Sequence, residues 1–102
     1  MRLYEAAAID TQREFDKAVG SLNSIFNHIV KLLGSNRFRN FEGSSLAKMN
    51  IASALWMSGN SAGAWDEYVQ ANPEQAAELE QRYDFTAKKI EMLEKKLKRG
   101  RK

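Results

Sequence analysis

The sequence predicts an all-α protein in which two long helices with heptad-like seams flank two short ones, a helical bundle or hairpin within a single domain of 102 residues. Three observations predict it. Apolar residues recur in alternating steps of three and four near both ends of the chain. The lone proline follows an asparagine at the start of the second such stretch, where a helix begins best. Between the two stretches, glycine and serine clusters mark off two short helical pieces, and no stretch alternates at strand period.

The first element is a long helix over residues 1–34. Its seam runs Tyr4, Ala8, Thr11, Phe15, Ala18, Leu22, Ile25, Ile29 and Leu32, in unbroken steps of four and three. Val19, Phe26, Val30 and Leu33 broaden it into the wider stripe of a helix packed in a bundle. Gly20 either costs about 1 kcal/mol relative to alanine or permits a close helix crossing. Gly34 is placed to end the helix in a left-handed conformation.

Residues 35–43 read as a loop, and residues 44–71 as a short helical hairpin. Ser44 or Ser45 caps a first piece through Leu46, Met49, Ala52, Leu55 and Trp56, which is apolar on nearly every side. Ser58-Gly59-Asn60 is turn chemistry, and Ser61 opens a second piece with Ala64, Trp65, Tyr68 and Val69. This hairpin is expected to close one end of the bundle. The last element, 73–99, starts from Asn72-Pro73-Glu74-Gln75 as N-cap, N1, N2 and N3. Its seam is Ala76, Leu79, Tyr83, Thr86, Ile90, Leu93 and Leu97, with Gly100 as the stop. Glu78–Arg82, Asp84–Lys88, Glu91–Lys95 and Glu94–Lys98 are i, i+4 pairs in the favourable order. Two such stripes and two tryptophans are much apolar surface for a small monomer, which leads us to expect a homodimer or higher oligomer.

Several functions are excluded or disfavoured. Without cysteine there is no disulfide framework, thiolate metal site or cysteine nucleophile. No apolar run is long enough to span a membrane, and charged residues come too early for a signal peptide. A cytoplasmic protein is expected, or a virion-internal one if the source is a phage or mobile element. The single histidine, His28, has Ser24, Ile25, Lys31 and Leu32 at i±3 and i±4, so no carboxylate orients it as a base. Phosphate-binding, dinucleotide and nucleophile-elbow motifs are missing. The expectation is a non-enzymatic protein without a cofactor or metal.

Charge points to a partner. The net charge of +3 divides unevenly: residues 88–102 hold eight cations against two carboxylates, a net +6. Residues 66–84 carry six carboxylates against one arginine. A basic end on an otherwise acidic body suits a polyanion, nucleic acid first. Lys95, Lys96, Lys98, Arg99, Arg101 and Lys102 are the candidate phosphate contacts, positioning rather than reading a strand. Arg37 and Arg39 are candidate auxiliaries, because Asn36-Arg37-Phe38-Arg39-Asn40-Phe41 interleaves cations with rings in the manner of a single-strand surface. The alternative for that loop is phenylalanines docked in the core with the arginines left wet.

Residues 51–65 resemble the phage-repressor type of helix-turn-helix, with Ala52 small at the helix approach and Ile51, Leu55, Met57 and Trp65 locking the angle. The pattern departs at Trp56, where the turn usually has glycine, and at Ala62, where a β-branched residue usually packs. The second piece also brings Asp66 and Glu67, which repel phosphate. A structural hairpin is therefore expected. The alternative function is a protein-interaction module, an adaptor, assembly factor or inhibitor, with Trp56, Trp65 and Tyr68 as aromatic anchors.

Overall fold

The computed structural model describes the backbone of residues 3–99 and the side chains of residues 9–99. The side chains of Tyr4 and Ala8, and all of Gly100, Arg101 and Lys102, lie outside the described residues. The order is α1 (Leu3–Leu32), a 3₁₀ turn (Leu46–Lys48), α2 (Ile51–Met57), α3 (Ala62–Ala71) and α4 (Pro73–Arg99), with no strand among the described residues. With 30 residues, α1 is about 45 Å long, and its principal contact is with α4.

Gly34 ends α1 as its sequence position suggests. With φ at 76° it lets its own N–H reach the carbonyl of Lys31 (3.0 Å) and the next N–H, of Ser35, reach that of Val30 (3.2 Å). That is the Schellman pair of bonds, which satisfies carbonyls the helix leaves open.

The buried stripe of α1 is Ala18, Leu22, Phe26, Ile29 and Val30. This differs from the heptad seam: Ile25 is only partly buried and Leu32 is exposed. A straight helix of 3.6 residues per turn drifts by about 20° per heptad against a 3.5-residue repeat. The buried stripe accordingly shifts toward the flanking residues Phe26 and Val30 and away from Ile25 and Leu32. In α4 the buried set is Ala76, Leu79, Tyr83, Ala87, Ile90 and Leu93, which keeps the predicted seam except that Ala87 is buried in place of Thr86.

The middle of the chain does not cap the end of the bundle. Its 3₁₀ turn packs on α4 and α1, α3 packs on α4, and α2 packs on α3, so the segment lies along one side of the long pair. Two polar anchors account for this. Buried Asn23 donates from Nδ2 to the carbonyls of Val19 (2.9 Å) and Phe41 (3.0 Å), and accepts the Phe41 N–H at Oδ1 (2.7 Å). Phe41 is thereby held edge-on against Phe26, with ring centroids 5.7 Å apart. Tyr83 brings its hydroxyl to the carbonyls of Leu46 (2.7 Å) and Met49 (2.8 Å), one proton serving two acceptors.

The Tyr83 contact also breaks the first short helix. Met49 is extended at φ −112°, ψ 149°, and the helical segment restarts after Asn50, whose side chain accepts the Ser53 N–H at 2.7 Å. Asn50, not Ser44 or Ser45, is thus the cap of α2. Ser61 stands at the N-cap of α3 without a side-chain cap bond, and the Asn72 carbonyl accepts the Ala76 N–H (2.9 Å) as α4 begins.

These ties give the direction of α4. From Ser35 at the C-terminal end of α1 the chain descends to Phe41 beside Asn23 and to Ser44 beside Glu94. It then climbs past Tyr83 to Asn60, which bonds Ser35 again. Residue 94 therefore lies below residue 83, and α4 runs antiparallel to α1.

Candidate functional site

The exposed surface of α4 is sorted by charge. At about 100° per residue, Arg82, Lys88, Lys89, Lys95, Lys96 and Arg99 fall within roughly 140° of one another on the side away from the core. All six are exposed. Phe85 and Met92 lie along the middle of this arc, 74% and 50% exposed. Their neighbours at i±3 and i±4 are specific. Those of Met92 are Lys88, Lys89, Lys95 and Lys96, and those of Phe85 are Gln81, Arg82, Lys88 and Lys89. No carboxylate stands on this face between Gln81 and Arg99.

Glu80, Asp84 and Glu94 lie on the flank of α4 that meets the middle segment. Glu80 and Asp84 line a depression with Asn50, Ile51, Ala52 and Trp65. Glu94 accepts the Ser44 hydroxyl and pairs with Lys48 (3.5 Å) and Lys98 (3.7 Å). The Ser44 bond foremost, helped by the two lysines, holds the Glu94 carboxyl below its usual range despite some desolvation. Lys98, expected in the phosphate-contacting set, is therefore turned to a structural tie on the acidic flank.

The two loop arginines are not brought to the basic face. The Arg37 N–H donates to Ser35 Oγ (3.0 Å), its carbonyl accepts from Asn60 Nδ2 (2.6 Å), and its side chain runs along Gly59. Those ties hold it at the end of the molecule opposite the C-terminus of α4. Arg39 lies over the Phe41 ring, 4.6 Å from its centroid, and that ring is buried. Phe38 remains exposed, with the Lys31 ammonium 6.0 Å from its centroid. One ring of the loop is thus docked and one is free, so the interleaving does not form a continuous stacking surface.

The three aromatic anchors also separate. Trp56 is 73% exposed at the end of α2, next to exposed Met57, over a shallow apolar depression with Met49, Ala52, Ser53 and Ala62. Trp65 is 5% exposed and belongs to the core. It stacks on half-buried Tyr68 at 5.6 Å between centroids. The Trp65 side of α3 faces the core while Asp66, Glu67 and Gln70 face outward. A helix presenting two carboxylates is poorly made for entering a DNA groove.

Between α1 and α4 a groove of about 1180 Å³ opens beside Phe85. Lys17, His28 and Arg82 stand among its lining residues, with Gly20, Ser21 and Ser24 from α1 and Ile25 and Leu79 at its apolar base. No cluster of histidine and acidic residues suited to a metal ion occurs among the described residues, and none of their helices is long and apolar enough to cross a membrane. Comparison of the chain with protein-family models, with curated proteins and with solved structures finds no match.

Proposed function

We propose that this chain is a non-enzymatic helical protein that associates with nucleic acid through the basic face of α4. The observation that carries the reading is the ring of cations around two exposed apolar side chains, unbroken by a carboxylate. A helix face built only for solubility mixes both signs at i, i+4, because like charges at that spacing cost about 0.2–0.5 kcal/mol per pair. Lys95 and Arg99 are such a like-charged pair and Lys96–Arg99 adds i, i+3 proximity, beside the opposite-charge pairs Glu78–Arg82, Asp84–Lys88 and Glu91–Lys95 along the edge of the face. The contacts in this reading are Arg82, Lys88, Lys89, Lys95, Lys96 and Arg99, and the sequence continues the charge with Arg101 and Lys102. Compartments holding nucleic acid, the cytoplasm or a virion interior, fit it.

Titration of the protein against labelled duplex and single-stranded oligonucleotides over a salt series tests the reading. Affinity should fall with salt at a logarithmic slope of about −0.9 per neutralised phosphate on duplex and about −0.7 on a single strand. Replacing Lys88, Lys89, Lys95 and Lys96 with glutamine should flatten that slope. Absence of binding at low salt overturns it.

The exposed Trp56–Met57 pair supports a second reading, a protein contact made by a second copy or another chain. Self-association there would display several basic faces on one assembly and add avidity. Sedimentation of Trp56→Ala beside the parent protein decides whether copies meet at this patch.

A further inference from the structure

We infer that the strand held by α4 is single-stranded, with a base stacked on Phe85 and its neighbour seated in the groove between α1 and α4. The inference rests on the nucleic-acid reading above and narrows its substrate class. A duplex keeps its base faces stacked internally and offers this surface phosphates alone, for which a phenylalanine ring has no use. Lysine stems can fold over an apolar side chain and shield it, yet Phe85 stays 74% exposed between Arg82, Lys88 and Lys89. Cations spaced around an uncovered ring suit an unpaired strand, whose phosphates and base faces are both free.

The groove supplies the second half of the argument. Phe85 is part of its lining, so a base stacked there lies at the groove's edge. The other lining residues are cationic, hydroxylated or apolar, and none is a carboxylate. Ser21 and Ser24 provide hydroxyls that both donate and accept, which suits base edges without selecting one. Gly20 has nothing within 4 Å of where a Cβ would stand, so its lack of a side chain serves no helix packing and leaves the groove open there.

The test is fluorescence anisotropy of the full chain with a labelled single strand, a duplex of equal length, and polyglutamate as an acidic peptide, all at one salt concentration. Phe85→Ala should weaken single-strand binding by about fivefold to a hundredfold, the loss of one stacked base. It should change duplex binding by less than about twofold and leave the salt slope intact, since no phosphate contact is removed. Gly20→Leu, at an exposed helical position, fills the groove and should produce the same selective loss. Circular dichroism confirms that both variants fold. Equal single-strand and duplex affinity with a neutral Phe85→Ala overturns this inference while the nucleic-acid reading stands. No binding to either nucleic acid, or polyglutamate bound as tightly as the single strand, overturns both.

Discussion

Asn23 offers the sharpest test of how the loop is held to the bundle. It is 6% exposed, and its amide satisfies both main-chain groups of Phe41, the carbonyl at 3.0 Å and the N–H at 2.7 Å. In Asn23→Ala those two groups remain inside with no partner. Each unsatisfied buried group costs about 1–3 kcal/mol, and some relaxation of the loop toward water lowers the sum, so a loss of about 2–4 kcal/mol is expected. That is a large share of the roughly 5–15 kcal/mol available to a domain. It corresponds to a fall in melting temperature of about 8–25 °C for a chain of this length. Urea unfolding followed by circular dichroism gives the number directly. The double variant with Phe41→Ala should lose less than the sum of the singles, because the amide anchors the segment that carries that ring. A loss under about 1 kcal/mol, or strict additivity with Phe41→Ala, would refute the anchoring argument.

Three further outcomes follow from positions already described. Trp56→Ala should leave stability within about 0.5 kcal/mol, whereas Trp65→Ala should cost about 3–5 kcal/mol in chemical denaturation, since only the second ring is in the core. Gly20→Ala should raise stability by up to about 1 kcal/mol, because the position is helical, exposed and free of neighbours; a destabilised variant in thermal melts contradicts the open geometry. Burial foremost, with the adjacent Asp84 charge, pushes the Tyr83 hydroxyl well above its ordinary value of 10.0. The folded state thus holds this proton longer than the unfolded one. The associated stability is complete below about pH 10 and is lost as pH rises toward the folded-state value. Ultraviolet titration should show one tyrosine of the three ionising only as the helices melt, and Tyr83→Phe should abolish that late phase.

The helices were legible because their signals are local. Steps of three and four, Gly34 and the Asn72-Pro73 pair locate both long elements to within a residue or two. Which residues face inward was less legible. Ile25 and Phe26 are neighbours with similar hydrophobicity, and the choice between them depends on the phase of a straight helix over several turns. The break at Met49 was beyond local reading, because the group that causes it, the Tyr83 hydroxyl, lies 34 residues away. Asn23 carried a weak signal, a polar residue beside Leu22 on the stripe that α1 buries, but its partner is a main-chain segment 18 residues on. The expected surplus of apolar surface arose from treating both stripes as open. The antiparallel pair covers most of each, and the remaining large exposed groups are dispersed among Trp56, Met57, Phe85, Met92 and a few others.

The candidate site shows why charge must be read by face as well as by block. Counting along the chain gave a basic end and placed Lys98 with Lys95 and Lys96, as though position in sequence were position in space. On a helix, Lys98 lies about 160° from Lys96 after rounding the two-residue step, on the side where Glu94 and Ser44 receive it. The same geometry draws in Arg82, Lys88 and Lys89, which a block boundary separates, and gathers them around Phe85 and Met92. Opposite charges on the two flanks do different work. The acidic flank is tied to the middle segment through Glu94, whereas the cations of the other flank surround Phe85 and Met92, and Arg82 among them lines the groove. If these cations served only the helix dipole, they would be confined to the last turn, where that effect acts. Arg82, Lys88 and Lys89 stand well before it. Arg82 and Lys88 each follow a carboxylate by four residues, Glu78 and Asp84, and in the proposed reading the side of these cations turned toward Phe85 is what meets an anionic ligand running along α4.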